Sequence, residues 1–212
     1  MMTRRSWLIL PASAALWLPW TAAAQDFDGR IYGLAASNAE VDGVREARGF
    51  GFGADVGVAL GRWRLEVRGA TASLHADFAI QPDYAVNELA VLGSYRWRPA
   101  VALQVGAARR FTRPDFAAQD VGLLKVGLLV ETPLGSLARV RISGAYLQVT
   151  RFSGGGGSNL AMELGFGVSL GPAAGRVTGI IEYEYQRLDR EVNGNAVPIR
   201  YSVARVGLAA RR

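Results

Sequence analysis

The stretch Gly49–Ala72, GFGFGADVGVALGRWRLEVRGATA, decides how the chain folds. In its first half every second residue is apolar, from Phe50 to Leu60, and mostly small residues fill the positions between. After Gly61-Arg62 the alternation restarts at Trp63, now with arginine and glutamate on the opposite face. Successive side chains of a strand point to opposite faces, so this period of two predicts two ribbons, each with one apolar and one polar face. The turn between them contains glycine, which predicts a β-hairpin.

The same alternation recurs along the rest of the chain and predicts about ten antiparallel strands of roughly ten residues each, the length that crosses a bilayer at a tilt. They are expected near 27–36, 48–60, 62–74, 84–97, 100–112, 119–132, 136–150, 159–170, 175–188 and 198–211. Short turns alternate with longer polar loops, which are expected near 37–47, 75–83, 113–118, 151–158 and 189–197. The pattern predicts an all-β fold, an up-and-down transmembrane barrel of about ten strands, with eight as the alternative.

The polar parity of the strands predicts the inner face of this barrel. It is rich in glycine, alanine and serine, which a narrow interior needs beside long side chains. Its charges have both signs, as a paired internal network requires. The predicted lumen charge network consists of Arg64, Glu66, Arg68, Glu88, Arg96, Lys125, Glu131, Arg139, Arg141, Glu163, Glu182 and Glu184.

Aromatic residues on the apolar parity predict two girdles at the membrane interfaces, as expected for a lipid-facing surface. Trp63 and Trp97 adjoin short turns, whereas Phe111, Tyr146, Tyr183 and Tyr185 approach long loops. A soluble barrel would bury the apolar face instead. The girdles therefore favour the arrangement with the apolar face outward.

With these features the chain resembles the small bacterial outer-membrane β-barrel proteins over nearly all of residues 25–212. The last strand, from Tyr201 to Ala210, resembles the C-terminal strand that such proteins present to the barrel-insertion machinery, with Val206 and Leu208 on the lipid parity. Tyr201 and Val203 lie on the opposite parity, which predicts a bulge or a wet upper end. The resemblance implies a porin-like fold in the Gram-negative cell envelope. It also implies contact with outer-membrane lipid and lipopolysaccharide, and both termini in the periplasm.

The N-terminus has the features of a secretory signal peptide, which predicts cleavage of residues 1–24 from a single barrel domain at 25–212. Arg4 and Arg5 precede an apolar run from Trp7 to Trp20, and alanines precede Gln25. The chain contains no cysteine, which excludes disulfides, thiolate chemistry and cysteine-ligated metals. The arginines alternate along strands rather than forming one basic face, so nucleic-acid binding is not expected. Oligomeric state is left open.

Two motifs suggest chemistry that the fold does not favour. Gly49–Ala54 matches a loose dinucleotide fingerprint, but that motif needs a helix after its glycines and a strand follows here. His75 is the only histidine and lies near Asp77 and Asp83, which suits a general base. One histidine without cysteine makes a transition-metal site unexpected. We therefore expect no cofactor, no metal and no catalytic residue.

Three functions remain open for such a barrel. The first is a non-enzymatic outer-membrane protein whose lumen is filled by charged side chains and whose role is structural or in surface interactions. The second is a narrow channel for small or charged solutes. The third is an omptin-like or lipid A-modifying enzyme centred on His75. A narrow lumen is normally filled by its own side chains, which favours the first.

Overall fold

The computed structural model describes residues 25–40, 45–77, 83–113, 120–172 and 175–212. These residues form eleven β-strands: β1 (Gln25–Glu40), β2 (Arg45–Leu60), β3 (Trp63–Ala76), β4 (Tyr84–Arg98), β5 (Val101–Arg113), β6 (Val121–Leu134), β7 (Ala138–Phe152), β8 (Gly157–Leu170), β9 (Val177–Val192), β10 (Asn195–Ala196) and β11 (Ile199–Arg211). Apart from the two-residue β10, each pairs antiparallel with its neighbours, and β11 pairs with β1. The prediction of a closed ten-stranded barrel is confirmed, and the alternative of eight strands is wrong.

The predicted signal peptide, 1–24, lies outside the described residues, as do parts of the loops predicted near 37–47, 75–83 and 113–118. Within the described part of the chain, no helix is long and apolar enough to cross a membrane. We call the end of the barrel that carries Gln25, Arg212 and the short connections the turn end. The opposite end is the loop end.

The ten barrel strands have 13 to 16 residues each, and the largest differences from the predicted bounds are on β1 and β9. β1 continues to Glu40 and β9 to Val192, so residues predicted as loop extend the wall. At the end of β9 the chain reverses at Asn193 and Gly194, whose φ angles of 52° and 78° are those of a type I′ hairpin turn. A strand of 16 residues is about 50 Å long and, tilted by about 40°, rises about 40 Å. The wall is therefore taller than the apolar band of about 25 Å that a bilayer requires.

An apolar belt surrounds the outer face of the barrel from the turn end to about two thirds of its height. On β2 it extends from Leu60 to Phe50, whose side chain is 79% exposed. Ten residue steps of a tilted strand rise about 25 Å, which matches the hydrocarbon thickness. Leu164 and Phe166 on β8 and Val206 on β11 are also more than half exposed. Large apolar side chains exposed in a continuous belt identify a transmembrane barrel, as predicted.

Towards the loop end the distribution of side chains inverts while the strand pairing continues. The outward positions there are polar, for example Arg48 on β2 and His75 on β3. Most inward positions are apolar: Leu74 is fully buried, and Leu188 and Ile199 are 1% exposed, although Glu40 and Arg190 are also buried there. This part of the wall has the arrangement of a soluble barrel, with polar groups facing water and apolar groups inside. It extends beyond the apolar belt.

This inversion corrects the prediction for β11, which required a bulge or a wet upper end. The registers of β11 with β1 and with β9 are continuous over the whole strand, so there is no bulge. Tyr201 and Val203 point into the barrel and are 5% and 2% exposed. The apolar residues change from the outer to the inner face because the outer face leaves the lipid there. Beyond the apolar belt, the dry surroundings are those inside the barrel.

Glycines on the inner face of β2 and β11 accommodate the ring of Tyr32 on β1. A Cβ atom at Gly53 would lie 2.5 Å from a ring carbon of Tyr32, and one at Gly207 would lie 2.6 Å from its Cβ. Either substituent would displace the ring or the wall. The absence of side chains on both neighbouring strands therefore lets Tyr32 lie inside the barrel, where its hydroxyl donates a hydrogen bond to Asp55 at 2.9 Å.

The glycine-rich loop at 153–158 is held by one arginine. The Arg190 guanidinium on β9 donates hydrogen bonds to the carbonyl oxygens of Gly154, at 2.9 Å, and of Gly155, at 2.7 Å and 3.1 Å. It also lies 5.0 Å from the centre of the Phe152 ring. The loop predicted near 151–158 thus has specific contacts with the wall.

We expect Leu164→Arg to destabilise the barrel by about 2–4 kcal/mol, because it places a charge within the apolar belt. Thr150→Arg is the matched control, since Thr150 points outward near the loop end and is exposed. An exposed substitution there should change stability by less than about 0.5 kcal/mol. Urea unfolding in phospholipid vesicles, followed by tryptophan fluorescence, measures both. Equal costs would contradict the belt assignment.

Candidate functional site in the barrel lumen

Every strand of the barrel directs at least one charged side chain inward, and these side chains form ion pairs. In the middle and at the turn end of the described lumen, eight cations and eight carboxylates take part. The cations are Arg30, Arg64, Arg68, Arg110, Lys125, Arg139, Arg141 and Arg205, and the carboxylates are Asp28, Asp55, Glu66, Glu88, Glu131, Glu163, Glu182 and Glu184. The side chains in this set therefore neutralise one another. Buried charges are stable only when they are paired in this way.

Glu184 on β9 lies at the centre of the set. Its Oε2 accepts hydrogen bonds from Arg68 at 3.1 Å and from Arg205 at 3.0 Å. Its Oε1 accepts a third from the Gln186 amide at 3.1 Å. The three donors lie on β3, β9 and β11, so one carboxylate joins three strands of the wall.

A second group of contacts extends from this centre towards the turn end. Arg68 also donates to Glu66, at 3.3 Å. Glu66 accepts another hydrogen bond, at 3.0 Å, from Arg64, which binds both oxygens of Asp28 at 2.6 Å. Arg30 donates to Glu182 at 3.2 Å. Paired N–H···O bonds of this kind combine charge with a fixed geometry and are among the stronger side-chain contacts.

The third group of contacts joins Glu184 to the opposite wall through Gln186. The Gln186 amide donates to Glu163 at 3.0 Å, and Glu163 also accepts a hydrogen bond from Lys125. The side-chain carbonyl oxygen of Gln186 accepts a hydrogen bond from Arg110, which also donates to Glu88 at 3.2 Å. The network therefore crosses the lumen from one wall to the other.

Arg110 marks the upper boundary of the network. It is 1% exposed, and its guanidinium carbon lies 3.8 Å from the centre of the Tyr201 ring. Above it, two clusters of buried apolar residues occupy the loop half of the lumen. One includes Leu34, Leu74, Tyr84, Val86 and Val203. The other consists of Val121, Leu123, Leu147, Phe152, Ala161, Leu188 and Ile199.

Below the network, the lumen widens at the turn end into a cavity of about 450 Å³. We call this cavity the vestibule. Its lining includes eight arginines: Arg30, Arg62, Arg64, Arg96, Arg139, Arg141, Arg176 and Arg211. Its carboxylates are Asp26, Asp28, Glu66, Glu131 and Glu182. The vestibule is thus cationic, although the ion pairs above are balanced.

The residues predicted as a charge network occupy three different settings. Nine lie in the connected network: Arg64, Glu66, Arg68, Glu88, Lys125, Arg141, Glu163, Glu182 and Glu184. Glu131 and Arg139 pair with each other at 3.0 Å near the turn end, where both side chains are slightly more than a third exposed. Arg96 lines the vestibule and has no carboxylate of the described residues within 4.0 Å.

Sequence reasoning placed Arg110 on the polar parity but missed other members of the network, namely Asp28, Arg30, Asp55, Gln186 and Arg205. Asp55 lies on the polar parity of β2, whose alternation is clear, so a strict parity rule would have included it. Arg205 shares its parity with the apolar Tyr201 and Val203, which obscures the alternation of β11. β1 carries Asp28 and Arg30, and its outward positions include Gly29 and Gly33, which weakens the alternation. Gln186 carries no charge, so a search for charges could not find it.

The aromatic residues predicted as girdles all lie on the outward parity but at different heights. Trp63 and Trp97 are 61% and 58% exposed at the turn end of the belt. Tyr146, Tyr183 and Tyr185 are mid-strand, yet they end the apolar belt because the next outward positions are Gln148 and Arg187. Phe111 lies farther along, between the exposed Arg109 and Arg113, on the polar part of the outer face.

His75 lies on the outer surface near the loop end. Its Nδ1 is 2.8 Å from Oδ2 of Asp83, and both side chains are mostly exposed, at 75% and 64%. The hydrogen bonds from His75 and from the Ala76 amide lower the pKa of the Asp83 carboxyl. The structure therefore brings together His75 and Asp83, one of its two predicted partners, on an open surface outside the lumen.

The barrel is similar to solved outer-membrane structures, although no protein-family model and no curated protein matches the sequence. The translocator domain of the autotransporter NalP from Neisseria meningitidis aligns with a TM-score of 0.50 and 11% identity, over 87% of this chain and 88% of that one. An outer-membrane channel from Pseudomonas putida F1 aligns with a TM-score of 0.50 and 10% identity, over 88% and 95%. At such identities the likeness shows the fold alone, that of bacterial outer-membrane barrels.

We expect Glu184→Gln to destabilise the barrel by about 3 kcal/mol, because it leaves Arg68 and Arg205 buried without their shared carboxylate. The matched control is Glu131→Gln, which removes an equal charge from a partly exposed pair and should cost at most about 1 kcal/mol. Urea unfolding in vesicles compares the two. A cost for Glu184→Gln no greater than that of the control would show that the network does not stabilise the fold.

Proposed function

We propose that the chain is a non-enzymatic, integral outer-membrane protein whose lumen is closed to solutes. The observation that carries the proposal is the stack of buried side chains across the lumen, first the ion network and then the apolar clusters above it. Small barrels filled by their own side chains leave no aqueous path. The role of the protein is then structural, or it depends on contacts made at its two ends.

The outer membrane suits this barrel for two reasons. The belt of exposed apolar side chains requires lipid, and the fold is similar to that of outer-membrane proteins. Barrels of this class place short turns in the periplasm and longer loops outside. On that basis both termini lie in the periplasm, and the partners of the wall are outer-membrane lipid, lipopolysaccharide and the barrel-insertion machinery.

The surroundings of His75 support the hypothesis that the protein is not an enzyme. A general base needs a nucleophile or activated water and a site that holds the substrate beside it. His75 and Asp83 instead face outward on an open surface, more than half exposed. The cavity of the lumen lies at the opposite end of the barrel and has no histidine in its lining.

We expect the purified protein to show no steady single-channel conductance in planar bilayers, because the apolar clusters and the ion network block the lumen. A general porin added to the same bilayer is the positive control. Reproducible unitary currents from the wild type would contradict the closed lumen and favour the narrow channel for small or charged solutes.

We expect the full chain to fractionate with the outer membrane and to migrate differently on gels before and after heating, as a folded barrel does. An epitope inserted between Asn193 and Gly194 should be labelled on intact cells, because this exposed turn lies at the loop end. An epitope after Gly135 should be labelled only after permeabilisation. Recovery as a soluble periplasmic protein would contradict the membrane location, and the reverse labelling would contradict the orientation.

A further inference from the structure

We propose that the vestibule at the turn end is a binding site for a small, soluble, polyvalent oxyanion, such as a chain of phosphates or a polycarboxylate. The volume of about 450 Å³ is within the range of small-molecule sites. The inference needs only the geometry of the vestibule. The proposed orientation of the barrel adds that the ligand arrives from the periplasm.

Four arginines at the mouth of the vestibule take no part in the balanced ion pairs. For Arg62, Arg96, Arg176 and Arg211, no carboxylate of the described residues lies within 4.0 Å of the guanidinium nitrogens. The other vestibule arginines each bind a carboxylate: Arg64 binds Asp28, Arg139 binds Glu131, and Arg30 and Arg141 share Glu182. Asp26 is the one remaining carboxylate of the lining. The mouth therefore has a surplus of positive charge.

The strand pairing holds these four arginines as two pairs. The Arg96 amide donates a hydrogen bond to the Arg62 carbonyl oxygen at 2.8 Å, and the Arg211 amide donates one to the Arg176 carbonyl oxygen at 2.8 Å. The two pairs lie at different parts of the rim, with β1 and β2 between them on one side and β5 to β8 on the other. Adjacent like charges repel each other, and an anion between them removes that repulsion.

The chemistry of arginine indicates the class of ligand. Guanidinium groups bind phosphate and carboxylate through two parallel hydrogen bonds, so two arginines on neighbouring strands offer several donors to one oxyanion group. Two such pairs on one rim favour an anion with several groups over a monovalent one. The cations of the network above are already paired with carboxylates, so the site is limited to the mouth of the vestibule.

The test is isothermal titration calorimetry of the folded, full-length barrel in neutral detergent. Sodium tripolyphosphate and citrate are the two probes, and acetate is the monovalent comparison. We expect saturable binding of one or both polyvalent probes, weakened by added salt, and no saturable binding of acetate. Preference for tripolyphosphate or citrate identifies the phosphate or the carboxylate source. Absence of saturable binding by both polyvalent probes would overturn the proposal.

Matched variants separate the vestibule from the overall charge of the protein. The vestibule variant carries Arg62→Gln, Arg96→Gln, Arg176→Gln and Arg211→Gln. The control carries Arg48→Gln, Arg109→Gln, Arg113→Gln and Arg151→Gln, which removes the same charge from exposed positions near the loop end. We expect the vestibule variant to bind at least about tenfold more weakly, since it loses several charge-assisted hydrogen bonds. We expect the control to bind as the wild type does. Equal weakening in both would show unspecific attraction and overturn the proposal.

A footprint on the wild type keeps the proposal testable if the vestibule variant fails to fold. Phenylglyoxal modifies exposed arginines, and mass spectrometry locates the modified residues. Tripolyphosphate or citrate should protect Arg62 and Arg96 but not Arg113. Protection that instead requires anionic phosphatidylglycerol in the vesicle, without any soluble anion, would assign the site to a lipid headgroup and contradict a soluble ligand. Both results are independent of whether the lumen conducts.

Discussion

The balance of charge inside the barrel is the constraint on which the rest of the structure depends. The wall is surrounded by an apolar belt, so the charges on its inner face cannot be neutralised from outside. Each must find a partner within the lumen, and Glu184 does so with Arg68 on β3, across the lumen, and with Arg205 on the neighbouring strand β11. Removal of one partner from such a set leaves a buried charge uncompensated, which costs far more than the loss of an exposed pair. The network therefore selects one register of the strands.

Arginine suits this network better than lysine does, and the composition reflects it, since Lys125 is the only lysine in the chain. The planar guanidinium of Arg68 contacts three carboxylates on three strands: Asp55, Glu66 and Glu184. Lys125 pairs with Glu163 alone. Guanidinium presents five donors in a rigid plane, whereas an ammonium acts as a compact point charge. One arginine can thus connect groups that would need several lysines.

Much of this architecture could be predicted from the sequence, because a two-residue period places every side chain on one face or the other. The strands with clear alternation, such as β2 and β8, were placed to within a few residues. The partners could not be predicted, because they depend on which strands face each other across the lumen: Lys125 and Glu163 are 38 residues apart. The lengths of β1 and β9 were underestimated because the alternation inverts near the loop end. There, Leu74 and Ile199 look misplaced until the wall is known to leave the lipid.

The same strands serve two surroundings, and this determines where the molecule can bind a ligand. Near the loop end the interior is mostly apolar and filled by residues such as Leu147 and Leu188. In the middle every charge in the network has a partner. At the turn end the lumen of the described residues opens, and there the rim arginines, such as Arg62 and Arg96, have no carboxylate of the described residues within 4.0 Å. Because the charges above them are already neutral, this surplus is not needed to balance the network. It is therefore the part of the lumen that is free to bind an anion.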